Sequence, residues 1–195
     1  MASRDQSNYR PTLMIIIASI REGRVGLPVG SWFEGVARDL GTFDIDFVDL
    51  AELDLPLMTE PFHPSLQRYT QEVTKAWSRR VAAADAFALV MPEYNHSFSA
   101  PLKNALDYLF KEWASKPVGF VSYGGVSAGS RAVAALQPVL YSLQMQAVPA
   151  VVHIPFVSQF VNAERAFVPN NVLSDAAGGL LEALSGACQG SGRQS

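Results

Sequence analysis

The sequence predicts an α/β domain, a doubly wound parallel sheet sandwiched between two layers of helices. Short, nearly continuous apolar runs recur along the chain, and one-sided helical stripes fall between them. Their order, β-α-β-α-β-α-β-α-β, is that of a sheet in which every crossover is right-handed.

Four runs are long and apolar enough to be strands covered on both faces: 13–19 (LMIIIAS), 86–91 (AFALVM), 118–122 (VGFVS) and 148–153 (VPAVVH). A fifth, 43–48 (FDIDFV), alternates apolar and polar side chains and reads as an edge strand with one wetter face. Between them, Leu102, Ala105, Leu106, Leu109, Phe110 and Trp113 repeat at helical spacing and predict one helix. Tyr108 lies off that stripe and is expected to be exposed. Tyr69, Val73, Ala76, Trp77, Arg80 and Val81 form a second stripe. Residues 29–39 and 130–143 also read as helices, the latter bent at Pro138. A last helix is expected from Leu173 to Leu184, with 1–11 and 187–195 as flexible ends of a single domain spanning 1–195.

Composition narrows the function. The chain has 195 residues, 49% of them hydrophobic, and a net charge of −3, with no long basic block. That argues against a nucleic-acid partner, and no apolar run reaches the ~20 residues that cross a bilayer. The polar first ten residues do not resemble a secretory leader, so a cytoplasmic protein is expected. One cysteine, Cys188, and three scattered histidines, His63, His96 and His153, offer no metal-ligand spacing, and no metal is expected. In so acidic a chain, any anion site must be built locally.

Ligands of doubly wound sheets sit beyond the carboxyl ends of the strands, so the loops there carry the chemistry. The loop after the first strand, Ser19-Ile-Arg-Glu-Gly-Arg-Val-Gly26, offers a hydroxyl, two guanidiniums and two glycines, and leads straight into a helix. Helix starts hold unpaired N–H groups and a partial positive charge, which suits a phosphate. After the third strand comes Pro92-Glu-Tyr-Asn-His-Ser97, where Tyr94 or its backbone is placed to border a flat aromatic ligand. After the fourth comes Ser122-Tyr-Gly-Gly-Val-Ser-Ala-Gly129, whose paired glycines let the backbone approach a planar ring.

Taken together, Ser19-x-Arg21, the run PEYNHS with LKNALDYL behind it, and KPVGFVSYGG resemble the NADPH-dependent FMN reductase family over 13–153. The resemblance implies a flavodoxin-like three-layer sandwich with a five-stranded parallel sheet in the order 2-1-3-4-5. It implies FMN as cofactor and NADPH or NADH as electron donor. Ser19 and Arg21 would hold the FMN phosphate, in a segment that includes Val25 and Gly26. Pro92, Glu93, Tyr94 and Asn95 would follow the flavin edge, chiefly through backbone, and Ser122, Gly124, Gly125 and Ser127 would close the opposite side. Arg24 is read as either a phosphate ligand or a solvated side chain. The chain departs from the family where Ala18 replaces a glycine and where Ser99-Ala100-Pro101 precedes the LKNA helix.

The implied chemistry is hydride transfer from nicotinamide to the flavin N5 and on to a small acceptor: flavin, quinone, azo compound, chromate or ferric complex. No catalytic side chain is required. A homodimer or homotetramer is expected, with Tyr108 and the aromatic stretch 156–167 in subunit contact or over the cleft. The alternative is a non-enzymatic FMN-binding electron carrier or redox sensor. Gly125-Val-Ser-Ala-Gly129 also matches the G-x-S-x-G elbow of hydrolases, but no acid lies between Ser127 and His153 to complete the usual order.

Overall fold

The computed structural model describes residues 9–191. Five parallel strands form one sheet in the order β2-β1-β3-β4-β5: β1 (Thr12–Ile17), β2 (Asp44–Asp49), β3 (Ala86–Pro92), β4 (Pro117–Tyr123) and β5 (Gln146–Ile154). Six helices join them: α1 (Gly26–Leu40), the single turn α2 (Leu50–Leu53), α3 (Glu72–Ala83), α4 (Ala100–Asp107), α5 (Ser130–Ser142) and α6 (Asn171–Ser191). This is the flavodoxin-like arrangement the sequence implied.

The side-chain period of two divides the central strands between two cores. Met14 and Ile16 of β1 join Phe87 and Leu89 of β3 under α3, α4 and α5. Leu13, Ile15 and Ile17 join Ala88 and Val90 under α1 and α6. Because β1, β3 and β4 are covered on both faces, their apolar runs are unbroken, as parallel strands require. Charged Asp44 and Asp46 mark β2 as the edge next to β1.

Several expectations need correction. β5 is not covered on both faces; it is the other edge, with Ala147, Pro149 and His153 exposed. Pro149 lacks an N–H for the ladder and belongs on an edge, and the β4–β5 register shifts opposite it, between Val118 and Phe120. The helix expected to run to Trp113 stops at Asp107; tight turns follow, closed by Leu109 N–H to Leu106 O and Trp113 N–H to Phe110 O (both 3.3 Å). Trp113 is nonetheless buried, its Nε1 donating to Leu106 O at 3.2 Å and its ring against Phe87 at 4.9 Å. Tyr108 is buried, not exposed: its hydroxyl donates to Pro56 O at 2.8 Å, pinning the segment after α2. Helix α6 extends to Ser191, past the expected stop at Leu184; the rest of the expected C-terminal tail, and residues 1–8 of the N-terminal one, lie outside the described residues. Within the N-terminal part, the Tyr9 hydroxyl donates to Asp85 Oδ2 at 2.6 Å.

Candidate functional site

The loops after β1, β3 and β4 meet at one end of the sheet because hydrogen bonds tie them edge to edge. Ala18 N–H donates to Val90 O (2.9 Å), and Glu93 N–H donates to Tyr123 O (3.0 Å). The two departures from the family pattern lie side by side. Ser99, at the N-cap of α4, makes no cap bond with its side chain, because its buried hydroxyl donates to Ala18 O at 2.7 Å. The loop after β5 joins too: Val157 N–H reaches Gly124 O (3.3 Å) and Phe156 N–H reaches Gly125 O (3.1 Å).

A cleft of about 200 Å³ lies where these loops meet. Of the residues the sequence pointed to, Ser19, Arg21, Val25, Pro92, Glu93, Tyr94 and Gly124 line it, together with Gly23, Arg24, Tyr123 and Val157. The others sit just behind. Gly26 opens α1 against the cleft wall; a Cβ there would stand 2.5 Å from the Tyr123 hydroxyl. Asn95 and His96 occupy left-handed backbone (φ 49° and 65°) in a turn closed by Tyr94 N–H to Ser97 O (2.9 Å) and Ser97 N–H to Tyr94 O (3.0 Å). Ser122 is buried beneath the site, its hydroxyl donating to Ala128 O at 2.9 Å. The Ser127 hydroxyl donates to Glu93 Oε2 (2.8 Å), and Gly125 carries the carbonyl that holds Phe156.

The cleft favours an anion. Helix α1 starts without a side-chain cap and without an acidic residue in its first turn, so its leading N–H groups keep their pull on negative charge. Arg21 is exposed at the rim and makes no ion pair among the described residues. Ser19 is buried, its Oγ 2.7 Å from the Tyr94 hydroxyl. Two buried polar atoms, the Tyr123 hydroxyl and Arg24 Nε, have no hydrogen-bond partner among the described residues. A phosphate-bearing group supplies the acceptors they lack, so the residues present fit one. Burial, with the Tyr94 phenol adding, pushes the Tyr123 pKa up against the weaker pull of Ser19, Arg24 and Arg21.

Arg24 is not the solvated side chain that was one of its two readings: its side chain is 19% exposed, and its Nε has no hydrogen-bond partner among the described residues. Its guanidinium pairs with Asp49, the buried last residue of β2, whose Oδ1 also accepts from Ala51 N–H at 3.0 Å and caps α2. Glu93 likewise turns its carboxylate from the cleft toward α5, accepting from Ser127 and from Arg131 Nη1 (2.9 Å) and backbone N–H (3.2 Å). Asp49 and Tyr123 are what the sequence reading missed. An Asp before LAEL is an N-cap signal, and a tyrosine in a buried strand demands a partner for its hydroxyl.

The hydrolase arrangement does not form. His153 is hydrogen-bonded through Nδ1 to Ser122 (2.7 Å), whereas Ser127 of the elbow motif is bound to Glu93. Because the Ser122 proton goes to Ala128 O, His153 Nδ1 is the donor to Ser122 and no base faces a serine. The Cys188 thiol, pushed up to about 11 by burial and by Asp85, is not a nucleophile at neutral pH. The stretch 156–167 packs chiefly on α1: Phe167 lies 4.9 Å from Trp32 and 5.8 Å from Phe160, while Phe156 stays half exposed beside Val157. A larger hollow of about 690 Å³ flanks Trp32, Phe167 and Arg165, but it touches no strand end. The smaller cleft is the candidate site by topology.

Fold and cleft together define a flavodoxin-like protein with a donor-lined cleft at the start of its first helix. Residues 11–159 match the model of the NADPH-dependent FMN reductase family, and the chain belongs to that family. It is therefore an oxidoreductase that works with FMN and a reduced nicotinamide nucleotide. It is 39% identical over 141 residues to an NAD(P)H-dependent FMN reductase of Schizosaccharomyces pombe, covering 71% of this chain and 70% of that one. It is 35% identical over 153 residues to an NAD(P)H-dependent FMN reductase of Saccharomyces cerevisiae, covering 72% and 80%. Among solved structures, the flavoenzyme NAD(P)H:(acceptor) oxidoreductase FerB of Paracoccus denitrificans superposes with a TM-score of 0.70 at 20% identity, covering 92% of this chain and 98% of that one.

Proposed function

We propose that the cleft seats FMN with its phosphate against Ser19, Arg21 and the start of α1, and its ring system on the open surface between the 94–97 turn and Gly124-Gly125. The observation that carries this reading is the convergence of three βα loops on a cleft where two buried donors, the Tyr123 hydroxyl and Arg24 Nε, have no partner among the described residues. Ser19 and Arg21 hold the phosphate by charge-assisted bonds, with the N–H groups around Val25 and Gly26 adding to them. The backbone of Pro92, Glu93, Tyr94 and Asn95 follows the polar edge of the ring. Glu93 contributes through its main chain, since its carboxylate is committed to Ser127 and Arg131. Ser122 acts beneath the floor through Ala128, and Ser127 through Glu93; neither is offered as a direct ligand. Bound there, FMN supplies two-electron transfer from the reduced nicotinamide to a small acceptor. The protein's part is alignment, and the reaction asks for no side-chain acid or base.

The acceptor class follows from the openness of the ring site: a planar, reducible molecule such as a flavin, quinone or azo compound. Relatives named for such acceptors include a 2-hydroxy-1,4-benzoquinone reductase of Burkholderia and an FMN-dependent NADPH-azoreductase of Staphylococcus haemolyticus. The reading includes one domain over 1–195, a homodimer or homotetramer and a cytoplasmic location. Exposed Leu57, Val126, Phe156 and Ile20 support subunit contact near the cleft. No described helix is long and apolar enough to cross a membrane.

The test is a visible spectrum of the purified protein with FMN, before and after anaerobic NADPH. Rapid bleaching of bound flavin is the expected result. A bound flavin inert to both NADPH and NADH would leave an electron carrier instead.

A further inference from the structure

We propose that the Tyr123 hydroxyl is a direct donor to the cofactor's phosphate, and that it makes the site select the phosphorylated flavin over riboflavin. The proposal rests on the reading of the cleft as an FMN site.

The fold makes room for this hydroxyl and gives it no partner within hydrogen-bond distance among the described residues, Ser19 being near enough only to draw its pKa down against burial. Tyr123 is the last residue of β4 and is 4% exposed. Its side chain passes over the α1 face of the sheet, and its oxygen arrives beside the first residue of α1. A Cβ on Gly26 would lie 2.5 Å from that oxygen, so the missing side chain at the helix start is what admits the phenol. A buried hydroxyl without a partner is costly, and native folds keep few of them without a reason. Here the reason is the ligand, since Tyr123 lines the cleft and its buried oxygen lies against the start of α1.

Its neighbours are donors as well. Ser19 Oγ and the Tyr94 hydroxyl are 2.7 Å apart, so one of the two protons joins them and the other is free for a ligand. Arg24 Nε is also unpartnered, and the first N–H groups of α1 face no acidic side chain. Burial keeps the phenol protonated across the physiological range, so it donates. Hydroxyl, guanidinium and amide donors converge while the carboxylates of Asp49 and Glu93 are already paired, which suits a phosphate dianion better than the neutral hydroxyl that ends riboflavin.

The test is Tyr123→Phe, which keeps the ring and removes only the oxygen. Apoprotein would be titrated with FMN and with riboflavin by flavin fluorescence, and thermal unfolding followed with and without inorganic phosphate. The Kd for FMN is expected to rise roughly tenfold or more, with riboflavin affinity unchanged within about twofold. Phosphate is expected to raise the melting temperature of wild type more than that of the variant. The variant without ligand should melt within a degree or two of wild type, because the hydroxyl removed has no partner within hydrogen-bond distance among the described residues. Unchanged FMN affinity would overturn the assignment, and so would equal weakening of both flavins, which would point to ring packing. Tyr123-dependent stabilisation by phosphate in a protein that binds neither flavin would uphold the anion site and remove the FMN reading. No response to phosphate or to either flavin would remove both.

Discussion

Asp49→Asn removes the charge buried beside the loop that runs from Ser19 to Gly26. The substitution keeps the side chain's shape and its ability to cap α2, since Asn is as good an N-cap as Asp. It removes the negative charge facing Arg24 and, with the amide oxygen kept for the cap, puts an NH2 group where Oδ2 accepted from the guanidinium. Both groups are sheltered: the Asp49 side chain is 2% exposed and that of Arg24 is 19%. A hydrogen bond to a charged group contributes about 1.5–3 kcal/mol and none replaces it, so the loss centres on ~2 kcal/mol. For a domain of this size that lowers Tm by about 4–8 °C. The variant's guanidinium is then left with an unanswered positive charge beside the cleft, which a phosphate can answer. FMN should therefore raise the Tm of the variant more than that of wild type, as expected for a ligand bound only to the native state. Calorimetry or fluorescence-monitored melting of both proteins, with and without saturating FMN, reads both effects. A variant as stable as wild type would refute the Arg24–Asp49 pairing. A destabilised variant with no extra gain from FMN would refute the link between that pair and the phosphate.

Other outcomes follow from the same geometry. Gly129→Ala should cost about 2–5 kcal/mol, because φ there is 84° and the new Cβ would lie 2.8 Å from both Ser122 Cβ and Tyr123 N; an unchanged urea midpoint would contradict it. Glu93→Gln should loosen the join between the β3 and β4 loops and cost about 1 kcal/mol in urea unfolding, with a several-fold weaker FMN Kd. Arg21→Ala should weaken FMN binding by about 1.5–3 kcal/mol in an equilibrium titration, and an unchanged titration removes Arg21 from the site. Glu60 links pH to stability. Burial opposes its ionised form, but the Thr70 and Gln71 amides and the Thr70 hydroxyl prevail and hold its pKa down to about 2, below the ordinary 4.5. Its contribution is thus complete above pH 4.5 and is lost as pH falls from there through 2. Urea midpoints at pH 5.5, 4 and 3 should fall more steeply for wild type than for Glu60→Gln.

What could be read in advance was whatever leaves a local trace. The runs of β1, β3 and β4 are continuous because helices cover both faces, and the three loops announced themselves by glycines, arginines and the PEYN turn. Contacts across long separations left none. Tyr108 looked exposed because its helix periodicity counts only neighbours on that helix, whereas its partner is Pro56 O in a loop after α2. Arg24 looked available because Asp49, which claims it, lies 25 residues away on the neighbouring strand. The mistaken two-sided cover of β5 had a warning in it, since Pro149 has no place in an inner strand.

Pro149 also bears on how copies of this protein behave when crowded together. A parallel sheet that ends on an open strand offers its outer amides and carbonyls to any extended peptide that drifts past. Here one rim is interrupted by an imino acid and a shift of register, and the other carries Asp44 and Asp46, with Arg10 3.7 Å from the first and Arg80 2.7 Å from the second. Neither rim templates a sixth strand, so association between copies is steered to side-chain surfaces and away from stacking into fibres.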